Sequence, residues 1–152
     1  VNYLNPKTLK KLLDTCFTAK RIIETLPELP NGMKPRHIHV LDAIEEIYNQ
    51  QGMCRVSDVS AKLNITMPSV TKLINELENY GLLAKIADST DKRVTLLSLT
   101  DAGYACVERH VHKFHSDWAN VLYDISDEQA EDAINIIEKL RHSMPGIKED
   151  KR

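Results

Sequence analysis

The chain has 152 residues, 20 of them lysine or arginine and 22 acidic, for a formal net charge of −2; that length suits one domain, or one compact lobe with helices that pair to a second copy. With 5% aromatic and 28% charged residues, it reads as a folded, helical chain rather than a disordered one, and its size lets it fold without a metal or disulfide staple. Cys16, Cys54 and Cys106 form no CxxC pair and no zinc spacing, no apolar run approaches the ~18 residues of a membrane span, and no signal-peptide pattern opens the chain, so a reduced, cytoplasmic protein is expected.

Leu9, Leu12, Leu13, Cys16, Ile23 and Leu26 recur at helical spacing and predict a first helix over about residues 6–27. Pro27, Pro30, Asn31-Gly32 and Pro35 mark an ordered loop. A second helix starts near Pro35, where proline suits a first turn, buries Ile38, Leu41, Ile44 and Ile47 or Tyr48, and stops at Gln51-Gly52. Cys54-Arg55-Val56 has room for a single β-bridge. Ser57 is the expected N-cap of a short third helix carrying Val59 and Leu63, and Asn64 takes the left-handed turn after it. Thr66 caps a fourth helix with Pro68 in its first turn and Val70, Leu73, Ile74 and Leu77 as its buried stripe. Its other face presents Pro68, Ser69, Lys72, Asn75, Glu76 and Asn79.

The runs 82–87 and 94–99 are rich in β-suited residues and bracket the polar turn Asp88-Ser89-Thr90-Asp91-Lys92-Arg93, which predicts a hairpin. A long fifth helix from Thr100 to about Leu122 aligns Val107, Val111, Phe114, Trp118 and Val121. Ser126 with Gln129 makes a capping box for a sixth helix expected to bury Ala130, Ala133, Ile134, Ile137 and Leu140. Pro145-Gly146 is expected to end ordered structure, with residues 148–152 frayed.

The expected fold is mainly α with a small β-hairpin wing, in a single domain over residues 1–152. A winged helix-turn-helix lobe occupies about residues 35–100, and dimerisation helices flank it at about 6–27 and 100–144. The flanking helices carry apolar stripes that so small a lobe does not cover, and a two-fold mate is the simplest cover for them. A helix-turn-helix followed directly by a basic-tipped hairpin usually reads duplex DNA.

The net charge opposes that reading, but the charge is unevenly placed. Residues 117–139 hold seven acids against one base, whereas residues 55–93 hold six bases and five acids. Phosphate contact depends on the local patch, since surface charges beyond ~8 Å are largely screened at physiological salt. At the start of the fourth helix, Thr66, Met67, Pro68 and Ser69 are short or apolar and allow close approach to base edges. Lys72, one turn on, reaches a guanine edge or a phosphate, with Asn75 beyond it on the same face. Thr71 and Ser57 offer hydroxyls to phosphates near helix N-termini. No nucleophile–base pair, glycine-rich phosphate loop or metal signature stands out, so an enzyme, a cofactor and a metal site are not expected.

The segments Met67-Pro68-Ser69-Val70-Thr71-Lys72-Leu73, Leu77-Glu78-Asn79-Tyr80-Gly81-Leu82-Leu83, Asp88-Ser89-Thr90-Asp91-Lys92-Arg93 and Leu99-Thr100-Asp101-Ala102-Gly103 together resemble the MarR family of bacterial transcription regulators. The resemblance runs over about half the chain. It departs at Ala84-Lys85, where the family usually has Glu-Arg, and at Asn64, where a glycine is usual. It implies a homodimer on double-stranded DNA, more often a repressor, modulated by a small aromatic or anionic effector. By the same resemblance Arg93 is the minor-groove arginine of the wing, sensing narrow A·T-rich flanks, with Lys85, Asp91 and Lys92 around it.

Three lesser features bear on the switch. Cys16-Phe17 resembles the sensing cysteine of the family's peroxide-responsive branch, but Arg36, His37 and His39 stand where its partner tyrosines belong, and a buried, protonated thiol is the plainer expectation. Glu108, His112 and His115 have one-turn spacings that metal ligands favour, but Phe114 aligns with a histidine of the zinc-sensing branch. Trp118 with Phe114 suits dimer or cleft packing. An inter-lobe effector cleft lined by Cys16, Lys20, Arg36 and His37 is the expectation, with redox sensing at Cys16 or metal sensing at the histidines as the alternatives.

Overall fold

The computed structural model describes residues 3–144. Seven α-helices and one hairpin follow in order, and local capping chemistry sets most of their limits. Helix α1 spans Pro6–Glu24, with the Asn5 carboxamide oxygen accepting from the Lys7 amide at 2.8 Å. Helix α2, Pro35–Gln51, starts on a proline whose missing N–H has no partner to lose there and ends at Gly52 in the left-handed region, φ 76°. Helix α3 is Val56–Leu63 and α4 is Met67–Asn79. Asn64 makes the turn between them at φ 51°, ψ 47°, a conformation its short polar side chain tolerates.

Strands β1 (Leu83–Ala87) and β2 (Thr95–Leu99) pair antiparallel in the register Leu83 to Leu99 and Ala87 to Thr95. Arg55 adds the expected isolated bridge to Leu96, and the Leu97 amide donates to the Cys54 carbonyl at 2.8 Å. This bridge ties the wing to the entry of α3. After Thr100 come α5 (Asp101–Val107), a π-helical segment (Glu108–Lys113), α6 (Phe114–Val121) and α7 (Asp127–Ser143), the last opened by the reciprocal Ser126–Gln129 bonds of 3.1 and 2.9 Å.

One core holds the lobe together. Val40, Leu41 and Ile44 of α2, Val59 of α3, and Val70, Ile74 and Leu77 of α4 meet Leu97 and Val107. Each helix gives one apolar stripe to this centre, so the polar face of α4 is turned outward as a matter of packing.

Four expectations are corrected. Ser57 lies inside the first turn of α3 rather than at its cap; the cap position is Arg55, whose amide donates to the Asp58 carboxylate at 2.9 Å. A carboxylate three residues into the helix satisfies that donor better than the hydroxyl one residue earlier. The long fifth helix is not uniformly α, because it widens into the π segment, to whose Val111 carbonyl the His115 ring donates from α6 at 2.6 Å. A side chain that engages the ladder in this way is a recognised cause of local irregularity. Cys16 is exposed, not buried, because α1 buries none of its residues in this chain. Likewise Ala130, Ala133, Ile134 and Ile137 of α7 are exposed. The expected end at Pro145-Gly146 and the tail after it lie outside the described residues.

Candidate nucleic-acid interface

Thr66 fixes the N-terminus of α4. Its hydroxyl oxygen accepts from the Ser69 amide at 3.3 Å and its O–H lies 2.9 Å from the Ser69 hydroxyl oxygen. These two hydroxyls therefore shape the helix start, while Met67, Pro68, Thr71, Lys72, Asn75, Glu76 and Asn79 form an open, shallow outer face. Lys72 is exposed on it, its ammonium group one turn beyond the helix start.

The wing tip is built by two aspartates. Asp88 accepts from the Thr90 amide and hydroxyl, both at 2.9 Å, which turns the chain. Asp91 grips Arg93 through three bonds: Oδ1 accepts from the Arg93 amide at 3.0 Å and from Nε at 3.1 Å, and Oδ2 accepts from Nη2 at 3.1 Å. The Arg93 side chain is nonetheless 91% exposed, so the aspartate aims it without covering it. The Arg93 guanidinium beside Asp91 holds that carboxyl below its usual range, and the Thr90 bonds do the same for Asp88.

A groove of about 340 Å³ runs between α4 and the wing. It gathers Ser57, Met67, Thr71, Asn75, Lys85 and Arg93 from four separate stretches of sequence. Thr66 and Ser69 stand at the helix start above it, and Asp91 and Lys92 at the tip of the wing. Lys85 is engaged within the chain: its ammonium donates to the Asn75 carboxamide oxygen at 2.8 Å and lies 3.2 Å from Glu78 Oε1. It braces β1 against α4. Arg55 also lines the groove and is absent from the expected set. Its sequence signal is weak, one base among six in residues 55–93, and the Arg55–Leu96 bridge carries it to the wing.

Behind α4, His37 is buried at 3% exposure. Its Nδ1 accepts from the Lys34 amide at 2.9 Å, so in the neutral ring Nε2 bears the proton, and it donates to Glu76 Oε2 at 2.6 Å. That bond, more than any other contact, holds the Glu76 carboxyl below its usual range. His37 thus ties the start of α2 to the outer face of α4.

A separate cavity of about 260 Å³ lies between α1, the loop after it, α2 and the π segment. His39, Asp42, His110 and His115 are its polar lining. None of Cys16, Lys20, Arg36 and His37 lines it: Cys16, Lys20 and Arg36 are exposed, and His37 serves α4. His112 is paired with Glu45 at 2.7 Å, which raises its pKa. Among the described residues no group of three or more His, Cys, Asp or Glu is arranged to hold a metal ion, and no helix is long and apolar enough to cross a membrane.

Comparison with known proteins agrees with this geometry. Residues 31–94 match the model of the MarR family. The HTH-type transcriptional repressor MdtR of Bacillus subtilis is 28% identical over 109 residues, covering 72% of this chain and 68% of that one. For two uncharacterized HTH-type regulators of the same organism the matched share of the relative's length is 56% and 92%. Among solved structures, FabT of Streptococcus pneumoniae in complex with DNA gives a TM-score of 0.67 at 22% identity, over 95% of this chain and 100% of that one. BpsR of Bordetella bronchiseptica, whose DNA binding is regulated by 6-hydroxynicotinic acid, gives 0.62 at 23% identity, over 87% and 97%. At these identities the likeness is one of fold: a winged helix-turn-helix with flanking helices.

Proposed function

We propose that this chain, a member of the MarR family of transcription regulators, acts as a homodimer that binds a near-palindromic duplex operator, represses from it, and is modulated by a small molecule in the cavity beside α2. The observation that carries the reading is the groove in which the outer face of α4, the first turn of α3 and the arginine-tipped wing converge. A helix with short side chains at its start fits the major groove, and an exposed arginine on a hairpin suits the neighbouring minor groove. Lys72 and Arg93 are exposed cations of this surface, Arg93 aimed by Asp91, and Lys85 acts by bracing it.

Pairing is supported by the apolar faces the chain leaves open. Helices α1, α6 and α7 bury no residue in it, and Phe17, Trp118, Ile134 and Ile137 are exposed. A two-fold mate over these faces places two α4 helices about 34 Å apart, one turn of DNA. Repression is the action named for MdtR, and effector control the one named for BpsR. Both fit a dimer whose α2 touches the cavity and α4 alike.

The test is selection from a random duplex pool, then binding of the selected site at several salt concentrations. A near-palindrome with half-sites roughly 10 bp apart and affinity falling steeply with salt supports the reading. A monomer at micromolar concentration that still binds one half-site tightly, or no salt-dependent duplex binding, overturns it. The exposure of Cys16 favours a second reading, redox switching. A tenfold loss of operator affinity with peroxide, abolished by Cys16→Ser, would establish it, and an affinity indifferent to peroxide removes it.

A further inference from the structure

We infer that the cavity beside α2 takes a flat, apolar ligand that donates hydrogen bonds and carries no negative charge, such as an aromatic amidine or amine, rather than an aromatic carboxylate. The regulatory meaning of this inference rests on the proposed effector reading; the ligand class rests on the cavity alone. At about 260 Å³ the space is slightly below the usual range of roughly 300–1,000 Å³ for ligand sites, which suits one or two fused rings. Ile23 and Leu26 of α1, Ile38 of α2, and Val111 and Phe114 opposite them supply the apolar walls.

The polar lining is rich in acceptors and poor in positive charge. His115 Nδ1 donates to the Val111 carbonyl at 2.6 Å, which in the neutral tautomer leaves Nε2 as an acceptor in the lining. Asp42 is half-buried, and burial, followed by the nearby carboxylate of Glu46, raises its pKa, with Glu45 adding to the shift. The imidazoles of His112 and His115 oppose that shift, but His112 is already paired with Glu45 at 2.7 Å. His110 is held toward its neutral form by burial and then by Arg109. His39 is the remaining polar wall, and among the described residues no lysine or arginine lines the cavity. A carboxylate placed there would meet Asp42 without a counter-ion, whereas an amidinium would donate to Asp42 and to His115 Nε2 while its ring lies on Phe114.

The experiment uses the full chain without DNA and three ligands of one shape: 2-naphthamidine, 2-naphthamide and 2-naphthoate, titrated by calorimetry near neutral pH. The amidine is expected to bind at least tenfold more tightly than the carboxylate, with the amide between them. Asp42→Asn should bring the two charged ligands to within about threefold, and Val111→Trp, which fills the cavity, should abolish binding of all three. The inference is overturned if the naphthoate binds as tightly as the amidine, if no ligand binds, or if a folded Asp42→Asn chain keeps the tenfold ratio. Should Asp42→Asn fail to fold, the ratio in the unaltered chain decides. Operator affinity measured with and without the amidine then tests the regulatory reading separately: binding that leaves operator affinity unchanged refutes effector control and leaves the ligand class standing.

Discussion

Alanine at Gly103 should destabilise the protein, against the ordinary sign of a glycine-to-alanine change in a helix, which favours alanine by about 1 kcal/mol. Gly103 lies in the first turn of α5, where the chain passes back under the exit of α4. The Thr100 amide donates to the Leu82 carbonyl at 3.1 Å, and the Thr100 hydroxyl donates to the Gly81 carbonyl at 2.7 Å. A Cβ on Gly103 would stand 2.0 Å from that Leu82 oxygen and 3.3 Å from the Leu99 Cβ. Carbon–oxygen contacts settle at roughly 3.3 Å or more, so two backbone segments must part by more than ~1 Å. Overpacking of this kind costs about 1–3 kcal/mol. If the Thr100–Leu82 bond breaks, leaving these half-buried polar groups unmatched adds about 1–3 kcal/mol. With that bond broken, subtracting the helix-propensity gain leaves a net loss of about 1–5 kcal/mol, centred on ~3 kcal/mol. In a chain of this length that centre is a fall in melting temperature of roughly 6–12 °C. Thermal and urea unfolding followed by circular dichroism measure it. Gly81→Ala is the control: its φ is 73° and its added Cβ meets nothing within 4 Å, so only left-handed strain of about 1–2 kcal/mol applies. A Gly103→Ala protein as stable as the unaltered one, or less affected than Gly81→Ala, would refute the close approach.

Arg93→Ala should weaken operator binding roughly ten- to hundredfold and lower the salt slope by about one, with melting unchanged because the side chain is 91% exposed; wild-type affinity in that variant would remove Arg93 from the interface. Asp91 has its pKa depressed by Arg93, so its hold on the wing is present above the unfolded carboxylate pKa and lost as pH falls through the folded value, and Asp91→Asn should abolish the acid-side loss of operator affinity assigned to it. His112 behaves oppositely: Glu45 raises its pKa, so its contribution is full below the unfolded imidazole pKa and lost as pH rises through the folded one. Glu45→Gln should move the His112 titration, followed by NMR, toward lower pH, and an unmoved midpoint would contradict the pairing. Cys54, buried and with its thiol pushed up to about 12, should label with maleimide only on unfolding; labelling ahead of Cys16 in the folded protein would overturn its placement in the core.

What the sequence made legible was local. Thr66, Asn64, Gly52 and the Ser126–Gln129 pair act within a turn of themselves, so the end of α2, the starts of α4 and α7 and the turn between α3 and α4 followed from chemistry visible in the string. The hairpin followed from two β-suited runs around a polar turn. What escaped was decided by partners distant in sequence or missing from one chain. His37 reads like any polar residue near a helix start until Glu76, 39 residues away, is brought against it. Cys16 and the stripe of α7 look like core positions, and helical periodicity cannot tell a face covered by the same chain from one left for a mate. Arg55 is held beside the wing by a one-residue bridge, which nothing local in its sequence announces. The expected cationic cleft set Lys20 and Arg36 beside Cys16 and His37, yet the cavity is walled by neighbours such as Ile38 and His39, since one step along a helix turns a side chain by ~100°.

That same step explains how α2 can serve two surfaces. His37 faces α4 and packs edge-on to Tyr80 at 5.7 Å, while Ile38 and His39, next along the helix, face the cavity. The His37 ring is held at both ends, by the Lys34 amide and by Glu76, and leaves no slack between the first turn of α2 and the middle of α4. Close-packed interiors shift as units rather than yield locally, so on the proposed reading a ligand that displaces the start of α2 must either carry Glu76 with it or break a charge-assisted bond. Glu76 stands among Lys72 and Asn75 on the outer face of α4, where a carboxylate released from His37 adds unpaired negative charge toward the phosphates and one drawn back with it tilts the helix. Both outcomes disfavour DNA, and a ligand can shift operator affinity only by as much as it prefers the displaced position of α2 over the resting one.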